Sequence, residues 1–215
     1  IIGLGYVGLP LASEFSEKFC VLGFDNDQIR VEELKMNYDR TNEISERELA
    51  SKKNNLRFTS SEKELKDINI FIVTVPTPVD KNNNPDLSPI IGASTIIGRY
   101  LKKGDLIIYE STVFPGCTEQ VCVPILEKVS SLKYNADFFC GYSPERINPG
   151  DKSKKLSNII KIVSGSDGAT LDKVDSLYSS IISAGTYRAS SIAVAEAAKV
   201  IENTQRDVNL SLIHI

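Results

Sequence analysis

The residues with the clearest chemical content stand at the front of the chain, where Ile1-Ile2 run into Gly3-Leu4-Gly5-Tyr6-Val7-Gly8. Glycines at this spacing, between an apolar strand and a helix, predict a turn that cradles a pyrophosphate. Gly3 lets the chain turn sharply, Gly5 leaves room for the phosphates, and Gly8 lets the helix approach the strand. The helix N-terminus adds unpaired N–H groups and a positive dipole end. Gly3, Gly5, Tyr6, Val7 and Gly8 are therefore the candidate phosphate-binding residues. A tight strand-to-helix turn needs no ligand, but the second strand adds weight. Cys20-Val21-Leu22-Gly23-Phe24 ends in Asp25, whose carboxylate is placed to meet the adenosine ribose hydroxyls of NAD. Arg30, one turn further on, is either another cofactor contact or a solvated helix charge. Thr77, in Val75-Pro76-Thr77-Pro78 at the end of an apolar run, is a further candidate contact.

A second group of polar residues lies near the other end. Glu196, Lys199 and Asn203 fall on one face of a predicted long helix, with Ala197, Ala198, Val200 and Ile201 on the other side. Those apolar neighbours predict a half-buried Lys199 rather than a solvated one. Cys20, Cys117, Cys122 and Cys140 show no paired C-x-x-C spacing, so neither a metal site nor a disulfide framework is expected. Cys117 and Cys122 read as buried structural thiols.

The elements that must position these residues alternate between strand and helix. Strands are predicted at 20–24, 56–59, 69–75, 105–109, 137–141 and 158–163, with a short extended piece at 186–189. Helices are predicted at 9–19, 28–37, 45–50, 61–66, 88–102, 118–129 and 170–182, and a last long one is capped by Ser190 or Ser191. The run 69–75 is apolar throughout, as in a parallel strand buried on both faces. Three strands end in small, hydroxyl-rich or acidic turns, Val75-Pro76-Thr77-Pro78, Glu110-Ser111-Thr112-Val113 and Tyr142-Ser143-Pro144-Glu145. All are expected at one edge of the sheet, where α/β proteins bind ligands. The fold class is thus α/β, a doubly wound parallel sheet of the Rossmann type followed by the start of a long connecting helix. Residues 1–189 form the dinucleotide-binding domain and 190–215 the linking helix.

With 215 residues, 41% hydrophobic and 25% charged, the composition is that of an ordinary globular chain. A formal charge of −3 argues against nucleic acid as a partner. No apolar run is long enough to span a bilayer and no secretory signal is visible, so a cytoplasmic setting is expected. The chain does not begin with Met, and its first strand is two residues long, which suggests a clipped N-terminus. His214, the only histidine, is assigned no role.

Together, Gly3-Leu4-Gly5-Tyr6-Val7-Gly8-Leu9-Pro10, Val75-Pro76-Thr77-Pro78, Glu110-Ser111-Thr112-Val113, Ser143-Pro144-Glu145-Arg146 and the stretch Glu196-Ala197-Ala198-Lys199-Val200-Ile201-Glu202-Asn203-Thr204 resemble the UDP-glucose/GDP-mannose dehydrogenase family. The segment from Gly141 to Gly150, with Arg146-Ile147 after the glutamate, is similar to its branch acting on UDP-N-acetylglucosamine or UDP-N-acetylgalactosamine in bacterial polysaccharide pathways. The resemblance implies two successive oxidations of C6, with NAD as hydride acceptor and a cysteine that traps the aldehyde until water releases the uronate. It implies that Thr112 and Glu145 position the water, with Thr112 also at the cofactor and Glu145 near the nicotinamide. It places Lys199 and Asn203 at the C6 oxygen, and it implies a homodimer or larger homo-oligomer. The family's nucleophilic cysteine lies in a glycine-rich motif downstream of the long helix, beyond this sequence, so the chain is expected to bind NAD without making a uronate. A UDP-glucose 6-dehydrogenase and a non-catalytic NAD-binding module are the alternatives.

Overall fold

The computed structural model describes residues 1–82, 84–145 and 156–213. In it the apolar runs become β1 (Val21–Phe24), β2 (Leu56–Thr59), β3 (Ile70–Val73), β4 (Leu106–Tyr109), β5 (Phe139–Tyr142), β6 (Lys161–Gly165) and β7 (Thr186–Arg188). Ile2 bridges in parallel to both Phe24 and Val73. It thereby joins the β1–β2 pair to the sheet β3-β4-β5-β6-β7. The spatial order β2-β1-Ile2-β3-β4-β5 is that of a doubly wound dinucleotide fold.

Why the strands are apolar throughout is visible in their alternation. Phe71, Val73, Ile107 and Tyr109 face a cluster containing Ile90, Ile97 and Leu126, while Ile72, Leu106 and Ile108 face Leu11, Phe15, Val174 and Tyr178. One face is covered by α4 (Ser88–Tyr100) and α5 (Val123–Ser130), the other by α1 (Gly8–Phe15) and α6 (Gly168–Ser179). A smaller cluster of Leu4, Leu9, Leu34 and Leu49 anchors α2 (Gln28–Lys35) and α3 (Glu46–Ser51) beside the first glycine turn.

Several elements differ from expectation, each for a local reason. The strands from β1 to β5 are parallel, but β6 pairs antiparallel with β5, and β7 is parallel to β6. An antiparallel neighbour needs no helical crossover, and the described part of the connection holds only a 3₁₀ turn, Leu156–Asn158. Helix α1 stops at Phe15 rather than Phe19, where the Ser16 hydroxyl donates to the Ser13 carbonyl and competes with the helix ladder. The helix predicted from Thr118 to Val129 is divided into a π turn, Thr118–Cys122, and α5. Pro124 at the start of α5 has no N–H for the preceding turn. The last helix, α7 (Ile192–Ile213), is capped by Ser191, whose Oγ accepts from the Val194 N–H.

Candidate functional site

The glycine turn is held from behind by a hydroxyl. Thr74, directly after β3, donates to the carbonyls of Ile2 and Gly3 at 3.1 and 2.8 Å. Gly3 has φ +94°, a left-handed conformation that favours glycine. A Cβ on Gly8 would collide with the Gly3 carbonyl oxygen and Thr74 Oγ1, so α1 can approach the strand only through glycine there. A Cβ on Gly5 would meet nothing within 4 Å. The side of Gly5 is open, as a phosphate pair requires. Tyr6 is exposed, Val7 is half-buried, and no side chain caps the N-terminus of α1. By contrast, Asp27, Ser45 and Asp167 cap α2, α3 and α6.

Asp25 directly follows β1 beside this turn. One carboxylate oxygen accepts from the Leu4 N–H at 2.7 Å and the other from the Asp27 N–H at 2.9 Å. Each oxygen keeps a lone pair for a ribose hydroxyl. The open flank of Gly5, the uncapped helix and this oriented carboxylate fit a dinucleotide. Arg30 overturns the solvated reading, since it is 2% exposed. Its Nε donates to the Leu4 carbonyl at 2.9 Å, and its Nη2 pairs with Asp39 at 2.7 Å. Asp39 in turn accepts from the N–H groups of Thr41, Glu43 and Ile44, so Arg30 braces that loop against the glycine turn. Among the described residues, Arg30 Nη1 is a buried donor without a protein partner.

Along the sheet, Val73, Tyr109 and Tyr142 lie in register, which brings the ends of β3, β4 and β5 to one edge as expected. Thr77 Oγ1 donates to the Thr112 carbonyl at 2.6 Å, and Ser111 Oγ to the Val75 carbonyl at 2.6 Å. These bonds tie the first two ends together and leave the Thr112 side chain exposed. Tyr142 OH donates to the Ser111 carbonyl at 3.1 Å, which ties in the third. Lys199 arrives from α7, half-buried, and its ammonium donates to the Glu145 carbonyl. Burial pulls its pKa below the usual lysine range, and the Glu145 charge only partly offsets this. Asn203 is half-buried one turn beyond. Residues Arg146 to Gly150 and His214 lie outside the described residues.

Behind this edge is a cluster that the motifs alone do not reveal. Lys161, from β6, is 1% exposed and puts its ammonium 2.6 Å from Glu110 Oε2 and 3.5 Å from Glu145 Oε2. Tyr178, from α6, donates its hydroxyl to the other Glu110 oxygen. Burial pushes the Glu110 carboxyl up to about 7, against the pull of Lys161 and with a further push from Glu145. Burial acts to lower the Lys161 pKa, but the two carboxylates outweigh it and hold it above the usual value. One signal in the sequence pointed here, a lysine inside the apolar run Ile159-Ile160-Lys161-Ile162-Val163. Glu196 is likewise no surface residue. It is fully buried and accepts from the Gly116 N–H at 2.5 Å, the Thr118 N–H at 2.9 Å and Thr118 Oγ1 at 2.6 Å. It thereby clamps α7 to the loop after β4.

Cys117, Cys122 and Cys140 are buried, and burial raises the Cys140 thiol above its ordinary range. Cys20, the exposed one, precedes β1 at the opposite edge of the sheet. Among the described residues no group of His, Cys, Asp or Glu could hold a metal ion, and no helix is long and apolar enough to cross a membrane.

Comparison with known proteins bears on the same edge. Residues 1–182 match the model of the UDP-glucose/GDP-mannose dehydrogenase family, NAD binding domain. The chain is 58% identical to UDP-N-acetyl-D-glucosamine 6-dehydrogenase of Pseudomonas aeruginosa and 55% identical to that of Salmonella typhi. Each alignment covers 100% of this chain and 50% of the relative. Among solved structures, the UDP-D-ManNAc dehydrogenase of Pyrococcus horikoshii superposes with a TM-score of 0.91 at 31% identity, covering 99% of this chain and 51% of that one. The chain thus spans about half the length of the curated relatives it matches.

Proposed function

The chain belongs to the UDP-glucose/GDP-mannose dehydrogenase family and carries its NAD-binding domain, and from that premise we propose that it is the N-terminal half of a UDP-N-acetylhexosamine 6-dehydrogenase. The intact enzyme converts C6 of the sugar to a carboxylate, in the cytoplasm, for a bacterial surface polysaccharide. Substrate class rests on the two UDP-N-acetyl-D-glucosamine 6-dehydrogenases that align over the whole chain.

One geometric observation carries the catalytic part of the reading. Lys199 meets Glu145 at the sheet edge that also bears the glycine turn. A module that only bound cofactor would need the turn and Asp25, but not a half-buried ammonium beside a second, acidic position. Bound NAD supplies the hydride acceptor. Gly3, Gly5, Tyr6, Val7 and Gly8 cradle its phosphates, Asp25 takes the ribose hydroxyls, the buried Arg30 stiffens the turn through the Leu4 carbonyl, and Thr77 and Thr112 line the path to the nicotinamide. Thr112 and Glu145 hold the water that is added to the oxidised carbon. Lys199 and Asn203 face the C6 oxygen, where an ammonium in a water-poor site stabilises developing negative charge. Its lowered pKa suits a residue that also exchanges a proton with that oxygen. No cysteine of this chain is both exposed and at the edge, so we assign the nucleophilic thiol to the part of the enzyme beyond residue 215. Residues 1–189 are then the NAD-binding domain and 190–215 the start of the linking helix. The exposed Val200, Ile201, Val208, Leu212 and Ile213 on α7 support a homodimer formed along it.

The test is to incubate the intact enzyme with NAD and, separately, UDP-N-acetylglucosamine, UDP-N-acetylgalactosamine and UDP-glucose, following NADH and uronate. Two NADH per N-acetylhexosamine are expected. Turnover confined to UDP-glucose would assign the enzyme to the other branch, and no turnover with any sugar would leave a cofactor-binding module.

A further inference from the structure

We propose that Lys161 is a positioning residue of the reaction, bridging Glu110 to Glu145 so that the Glu145 carboxylate is held at the sheet edge in one place. The inference rests on the assignment of Glu145 above and adds the question of what fixes that side chain. Glu145 follows the last strand of the parallel part and is buried, so its carboxylate must find a partner inside the protein. Lys161 supplies one at 3.5 Å and is itself fixed by a shorter contact, 2.6 Å, to Glu110. Glu110 is locked in turn by the Tyr178 hydroxyl. Each member comes from a different element: the end of β4, the end of β5, the start of β6 and the last turn of α6. The cluster therefore reports the relative placement of four elements to one carboxylate.

The stoichiometry of charge supports a function beyond packing. Lys161 contacts two carboxylates, where a buried structural pair needs only one. Among the described residues, the groups that bear on Glu110 and Glu145 include Lys161 from β6, Tyr178 from α6, Lys199 from α7, and Tyr142 from β5, whose own phenol responds to Glu110. Lys199 contacts the main chain of Glu145, whereas Lys161 contacts its side chain. The peptide is thus held from one side and the carboxylate from the other.

The experiment uses the intact enzyme in four forms: unmodified, Glu145→Gln, Lys161→Met, and Lys161→Met combined with Glu110→Gln. Lys161→Met alone takes from two buried carboxylates the ammonium they share and is expected to fold poorly. The double variant removes one charge of each sign and should recover the stability. For the double variant we expect kcat to fall about 10²-fold, the usual cost of a misplaced catalytic group. KM for the sugar and Kd for NAD should stay within about twofold, and the acidic limb of the kcat–pH profile should move. A double variant with unchanged kcat and pH profile would overturn the inference while leaving Glu145 intact, provided Glu145→Gln is inactive. An active Glu145→Gln enzyme would remove the premise, and the inference with it.

Discussion

Around the Gly3–Gly8 turn the groups presented to a ligand are main-chain N–H groups and one carboxylate. Along the ends of β4 and β5 they are side-chain charges, Glu110, Glu145, Lys161 and Lys199, three of them buried. The first region depends on where the backbone can go. Gly8 tolerates no Cβ, and Asp25 is aimed by the N–H groups of Leu4 and Asp27. The second depends on mutual neutralisation of buried charges, with Glu110 raised to about 7 by burial. The contrast teaches that, if the proposed roles hold, binding and chemistry can be separated by mutation. On the proposed reading, the cradle holds cofactor whatever the state of the charges, whereas the charges serve a reaction that needs the cradle.

The sharpest way to break that division is Lys199→Ala in the intact enzyme. Loss of one donor to a developing oxyanion costs about 10²–10³ in rate, or roughly 3–4 kcal/mol. We expect that loss in kcat with NAD affinity unchanged. A rise in KM alone, in steady-state kinetics, would make Lys199 a simple binding residue. Gly8→Ala attacks the other side. Overpacking of about 1–3 kcal/mol should lower the melting temperature and weaken NAD together, because the clash lies within the turn itself. Full NAD affinity in this variant would mean that the turn is not the cofactor site.

What could be read in advance follows the same line. The cradle is local: its glycines lie within six residues, and their chemistry survives translation from sequence to space. The strand runs and the edge at Thr77, Thr112 and Glu145 were legible for the same reason, since each strand declares its own end. The Lys161 cluster was not. Its pairs are separated by 51 and 16 residues, and it forms only because β6 reverses against β5. No local pattern predicts that reversal. Arg30 stood in plain view but its burial did not, because its partner Asp39 lies in a loop whose path periodicity cannot give.

Two smaller effects sharpen the comparison. Glu196→Gln should cost roughly 1 kcal/mol in chemical denaturation, the worth of a weakened buried hydrogen bond. It should also lower kcat modestly by loosening α7, while sparing NAD. The smallest effect is a slope. The Glu110 carboxyl is raised in the folded protein from 4.5 to about 7, so between these values the folded state holds a proton that the unfolded chain has released. Stability from this group is therefore greatest below pH 4.5 and falls as pH rises through about 7. Urea unfolding of the unmodified chain and Glu110→Gln should differ in this window by at most about 1.4 kcal/mol per pH unit. Parallel pH dependences would place the titration elsewhere.

The central claim, a main-chain cradle that selects its cofactor through one carboxylate, is tested most directly by calorimetric titration of NAD and NADP into the unmodified chain and Asp25→Ala. A hydrogen-bonded charged group is worth roughly 1.5–3 kcal/mol, and the carboxylate repels a 2′-phosphate. The account predicts NAD bound more tightly than NADP by at least about tenfold, and a preference that collapses in Asp25→Ala as NAD weakens. Equal affinity for the two cofactors in the unmodified chain would contradict it.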